Sequence, residues 1–185
     1  MSSGSSERTT RAAARRPAGL DRTITIAAPP ARILGAFFDA QALAVWWQVR
    51  RAVTTPRTLG AYAVEWAPTD FTDGLLGRLG GVFHGTVIQY QAGRSFFVAD
   101  AYWLPPDGEP IGPMALDVTC KTVDARGWMR LRRPGSQENV ARLHVVQNGY
   151  EDSPRWRRYY EVIDSGWARA LDSLKAYLEH QRPAS

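Results

Sequence analysis

Polar and apolar positions alternate along this chain with two different periods, and the longest regular run lies near the C-terminus. Trp156, Tyr160, Ile163, Trp167, Leu171, Leu174 and Leu178 recur at steps of three and four, which predicts one amphipathic helix over about 155–180. Arg157, Arg158, Glu161, Asp164, Arg169, Asp172, Lys175 and Glu179 occupy its other face. Ser153 is placed as N-cap, Pro154 suits the first helical position, and Arg182-Pro183 ends the run. Gly166 interrupts the helix, where Gly costs about 1 kcal/mol against Ala. The expected compensation is close approach of another backbone or of a ligand.

Upstream, Thr23–Ile26 alternates as a half-buried strand with Ile24 and Ile26 inward, and Pro29-Pro30 stops it. Ile33, Leu34, Phe37 and Phe38 share one face of a short helix. Leu43, Trp46 and Trp47 do so on a second helix after Asp39. From Gln48 the period falls to two, and strands are predicted over 49–54, 60–66, 82–91, 94–104, 115–123 and 139–148, with a shorter one at 128–133. Gly60, Ala92-Gly93, Pro105–Gly108, Arg126-Gly127 and Pro134-Gly135 mark the turns. The expected organisation is a tail over 1–21, a single domain over 22–181 and a short tail over 182–185. The fold class is α+β.

Five short motifs follow one another along the chain: Ile24–Pro30 leading into Ile33 and Phe37, Leu43 with Trp46-Trp47, Gly60-Ala61-Tyr62, Gly85-Thr86-Val87, and Gly166-Trp167 before Leu171, Leu174 and Tyr177-Leu178. In this order they resemble the helix-grip fold of the START and birch-pollen-allergen (SRPBCC) superfamily. Within it they look most like the branch of the activator of the heat-shock chaperone ATPase. The resemblance implies a curved antiparallel sheet of six to seven strands wrapped around the long helix, with two short helices after the first strand. It also implies an internal cavity for a small apolar or amphipathic molecule. Pro68–Gly81 and 126–140 are longer than the family pattern requires, and the first reads as a lid in which Leu75, Leu76 and Leu79 can meet a ligand.

Strand parity selects the side chains that would line such a cavity. Tyr62, Val64 and Trp66 share one face of 60–66; Leu116 and Val118 do so on 115–123, and Leu143 on 139–148. The 82–104 hairpin is apolar on both faces. With Ala92-Gly93 as a two-residue turn, Phe83, Val87, Phe96, Val98, Asp100 and Tyr102 fall together, and this face is taken as concave. His84, Ile88, Tyr90, Phe97 and Trp103 then form an exposed apolar patch that suggests a dimer contact. Trp46, Ile163 and Trp167 complete the expected lining. The competing reading is that these aromatics fill a solid core.

Composition narrows the chemistry. The 185 residues carry a net charge of +5, with only two lysines, Lys121 and Lys175, among the basic residues. That arginine bias fits G+C-rich coding, so neither Arg130/Arg132/Arg133 nor Arg155/Arg157/Arg158 is read as a nucleic-acid site. One cysteine, Cys120, allows no internal disulfide and fits a reducing cytoplasm. No apolar run reaches membrane-spanning length. His84, His144 and His180 fall on different elements, so no metal and no cofactor is expected. Asp164-Ser165-Gly166 lies within a helix and has no strained turn to expose a nucleophile. Asp100 among Phe96, Val98 and Tyr102 is the one candidate acid or base.

Three functions follow as expectations. The first is binding of a small hydrophobic molecule such as a lipid, polyketide or aromatic metabolite. The second, implied by the resemblance, is an aromatase/cyclase-type enzyme, for which Asp100 with Tyr102 is the available acid. The third, implied by the resemblance to the chaperone-activator branch, is a chaperone-stimulating module presenting Arg155, Arg157 and Arg158 to an acidic partner.

Overall fold

A computed structural model describes residues 19–123, 140–149 and 151–180. The first strand, β1 (Leu20–Ile26), leads into two short helices, α1 (Pro30–Gly35) and α2 (Ala40–Trp46). Strands β2 (Arg51–Thr54) and β3 (Gly60–Trp66) follow. A two-rung hairpin, β4 (Thr72–Asp73) with β5 (Gly77–Arg78), precedes the long strands β6 (Gly81–Gln91), β7 (Ser95–Leu104), β8 (Ile111–Thr122) and β9 (Ala141–Asn148). Helix α3 (Pro154–His180) ends the described chain. Seven strands form one antiparallel sheet in the order β1-β9-β8-β7-β6-β3-β2. This is the α+β helix-grip arrangement: α3 and the two short helices on one sheet. The expected strand at 128–133, the turns at Arg126-Gly127 and Pro134-Gly135, and most of the N-terminal tail lie outside the described residues.

Strand β1 starts two residues before the expected order at Arg22. Leu20 is buried against the core and pairs with Gln147, while Asp21 accepts from His144 Nε2 at 2.8 Å. Asp39 caps α2, accepting from the backbone N–H of Gln41 and Ala42. In α3, Tyr159 and Ala170 are buried beside the predicted stripe and widen it, whereas Ile163 is only half-buried. Part of the helix's charged face is spent on β1, the edge strand. Asp164 accepts from Arg22 Nε at 2.8 Å, Lys175 Nζ donates to Thr25 O at 2.7 Å, and Glu179 Oε1 accepts from Ala27 N at 2.8 Å.

The β6–β7 hairpin departs from the expected register. Gln91 pairs with Ser95 across a three-residue turn in which Gly93 has φ 66°. Two irregularities follow, one at Ile88 and one at Asp100, where a single Gly85 faces both Asp100 and Ala101. Asp100 takes φ 49°, the left-handed conformation of a bulge residue. A Cβ on Gly85 would stand 2.7 Å from Val98 Cγ1 and 3.0 Å from Ala101 Cβ, so glycine is what lets the bulge close. Beyond the bulge the parity of β7 reverses. Ala101 and Trp103 point inward, and Tyr102 turns outward to stack on His84 at 5.9 Å. The expected placement of Asp100 and Tyr102 on the concave face is thereby corrected: Asp100 is exposed and Tyr102 lies on the convex side. The expected convex apolar patch also shrinks, since Trp103 is buried and Tyr90 packs on Phe38 at 5.4 Å.

Candidate functional site

The C-terminal end of α2 delivers two adjacent tryptophans to one end of the sheet. Trp46 and Trp47 stack with ring centroids 5.0 Å apart, and Trp47 meets Trp167 of α3 at 4.7 Å and Trp66 of β3 at 5.1 Å. Behind this cluster the concave face is tightly packed. Phe96 lies 5.4 Å from Phe37 and 4.9 Å from Phe38, and Tyr62 stacks on Phe96 at 5.8 Å. In front of it a cavity of about 560 Å³ opens between the sheet and α3.

Five of the residues expected to line a cavity border this one: Trp46, Trp66, Phe83, Ile163 and Trp167. Tyr62, Val64, Val87, Phe96, Val98, Leu116, Val118 and Leu143 are fully or almost fully buried in the packed region and do not reach it. Asp100 and Tyr102 lie outside. Trp47, Trp103, Gln147 and Tyr159 also border the cavity. Gln147 was legible from the parity of Leu143 on the same strand; Trp103 was not, because the bulge sits between it and Val98.

Residues 69–80 form the cavity's outer wall. Asp73 Oδ1 accepts from the backbone N–H of Leu75 and Leu76, at 3.0 and 3.2 Å, and closes the β4–β5 turn. That turn sends Leu76 inward, 1% exposed, and leaves Leu75 outside at 52%. Leu76 and Leu79 line the cavity; Leu75 does not. Two arginines of α3 hold this wall in place. Arg158 Nε donates to Asp73 Oδ2 at 2.8 Å, and Arg155 donates to Leu75 O at 3.3 Å, Pro110 O at 3.1 Å and Glu109 O. Arg157 bonds Asp152 at 2.8 Å. All three arginines thus bond within the chain, Arg155 and Arg158 on the wall and Arg157 on Asp152.

The floor is polar. Gln147, 3% exposed, accepts from Trp167 Nε1 at 3.1 Å and donates to Tyr159 Oη at 2.7 Å. Burial raises the Tyr159 hydroxyl pKa well above the ordinary range, so it acts as a neutral hydroxyl. Burial likewise pushes the Cys120 thiol up to about 11, which keeps it protonated and unreactive. Among the described residues no carboxylate or imidazole lines the cavity, and no three His, Cys, Asp or Glu side chains gather as metal ligands. No described helix is long and apolar enough to cross a membrane. Gly166 lies on the cavity wall, and a Cβ built there meets nothing within 4 Å. Close approach of a backbone is therefore not what keeps it a glycine.

No protein-family model and no curated protein matches the chain. Solved structures do. Protein Ms6760 from Mycobacterium smegmatis is similar with a TM-score of 0.62 at 17% identity, over 90% of this chain and 94% of that one. The AHSA1 protein from Silicibacter pomeroyi is similar with a TM-score of 0.59 at 16% identity, over 89% of this chain and 100% of that one. DynU16, a protein of the dynemicin biosynthetic locus, is similar with a TM-score of 0.55 at 17% identity, over 90% of this chain and 49% of that one. At these identities the likeness establishes architecture: the chain has the helix-grip fold that its sequence motifs resemble.

Proposed function

We propose that this protein binds a small, largely apolar molecule in the cavity between α3 and the sheet, beneath the β4–β5 hairpin. The observation that carries the reading is the cavity itself: about 560 Å³, walled chiefly by aromatic and aliphatic side chains, with Gln147, Tyr159 and Arg169 among its few polar groups. That size and lining suit a small-molecule site. Trp66, Phe83, Trp103, Ile163 and Trp167 supply the contact surface, and the packed residues behind them, Tyr62 and Phe96 foremost, hold it rigid. Gly166 fits the same reading, because any larger side chain there would occupy space the ligand needs.

The cyclase-type alternative loses its acid, since Asp100 is exposed on the bulge. A chaperone-stimulating surface loses Arg155 and Arg158 to the lid. Native mass spectrometry of protein purified from its own host tests the proposal. A co-purifying apolar molecule of one mass is expected. Bare protein that shows no thermal shift against lipids, polyketides and aromatic acids would refute it.

A further inference from the structure

The cavity walls differ in the hydrogen-bonding capacity they leave unused. Four of the bordering indoles spend their single N–H on protein acceptors: Trp46 on Ala36 O, Trp66 on Trp47 O, Trp103 on Gly80 O and Trp167 on Gln147 Oε1. What they offer a ligand is ring surface. An indole nitrogen only donates, so Trp167 fixes the amide of Gln147 with its carbonyl toward the ring. The two amide hydrogens then go to Tyr159 Oη at 2.7 Å and Met114 Sδ at 2.8 Å, and Tyr159 Oη donates to the same sulfur at 3.3 Å. Every donor of this network is used. One lone pair remains on Gln147 Oε1 and one on Tyr159 Oη, so the floor can accept and cannot donate.

The rim is the opposite. Arg169 borders the cavity, is exposed, and has no ion-pair partner among the described residues. With no carboxylate among the described residues that line the cavity to offset it, its guanidinium favours an anion.

Building on the cavity-binding reading above, we propose that the ligand is a planar aromatic molecule with a hydroxyl or N–H donor at its inner end and an anionic group at its outer end. Gln147 and Tyr159 receive the donor, Arg169 pairs with the anion, and the indole faces hold the rings between. A simple fatty acid lacks the inner donor, and an aromatic cation opposes Arg169.

The test is a tryptophan-fluorescence titration with a hydroxynaphthoic acid, its methyl ether and its methyl ester. The ether loses the donor and should bind about fivefold more weakly. The ester loses the anion and should bind about threefold more weakly, because an exposed ion pair is modest. Arg169→Gln should bring the acid down to the ester's affinity and leave the ester unchanged. Equal affinity for all three probes, or an equal loss for acid and ester in Arg169→Gln, overturns this inference and leaves cavity binding standing. Absence of saturable binding by all three also overturns this inference; cavity binding falls with it only if anilinonaphthalene sulfonate, titrated alongside, fails to bind as well.

Discussion

Arg158 of α3 donates through Nε to Asp73 Oδ2 at 2.8 Å, and this contact joins the long helix to the hairpin that walls the cavity. Asp73 is 6% exposed, so its carboxylate depends on that guanidinium and on the Leu75 and Leu76 amides. Together with the three carbonyls held by Arg155, the pair makes the first turns of α3 the fastening of the lid.

This fastening has a defined pH response. The Leu75 backbone N–H first, then Arg158, hold the Asp73 pKa below the ordinary 3.8. A depressed folded pKa contributes stability above the unfolded value and loses it as pH falls through the folded one. Hydrogen exchange of amides 72–78, corrected for intrinsic rates, should therefore be unchanged from about pH 7 to pH 5 and rise only in stronger acid. Asp73→Ala should open the segment at every pH, and Arg158→Gln less so, because the two amide bonds remain. Opening between pH 7 and 5 in the unmodified protein would contradict the assignment.

Tyr62 makes the opposite case. Its ring packs against Phe38, Phe83 and Phe96, yet among the described residues its hydroxyl is the one buried side-chain polar atom with no hydrogen-bond partner. Tyr62→Phe should be neutral or stabilise by up to about 1 kcal/mol. Tyr62→Ala should cost about 3–5 kcal/mol through lost packing. Urea unfolding measures both, and a loss above about 1 kcal/mol in the Phe variant would mean that the hydroxyl has a partner.

Gly166 is held by neither packing nor backbone strain. Gly166→Ala should stabilise the folded protein by about 1 kcal/mol through helix propensity alone, read as a raised midpoint in the same denaturation. A destabilised Ala variant would show that the helix needs glycine there for a structural reason.

The sequence was most legible where one face of an element is apolar and the other polar. Most of the α3 stripe could be read because seven apolar positions keep helical spacing against charges, although Tyr159 and Ala170 widen it and Ile163 is only half-buried; Asp39 and Ser153 mark helix starts by their side chains. Trp156 N–H does bond Ser153 Oγ at 3.3 Å. The β6–β7 hairpin resisted the same reading. Both its faces are apolar, so alternation there carries no direction, and a bulge at Asp100 inverts every residue after it. The lid fastening was illegible for another reason: Asp73 and Arg158 stand 85 positions apart, and an arginine on a polar helix face looks the same whether it meets water or a carboxylate.

The central claim, that a small molecule occupies the space beside Gly166, is tested most directly by Gly166→Phe. Titration with anilinonaphthalene sulfonate should give saturable, one-to-one binding to the native protein. Gly166→Phe should abolish that binding while its far-UV circular dichroism and unfolding midpoint remain those of a folded protein. Undiminished binding in a folded Gly166→Phe variant would contradict the account.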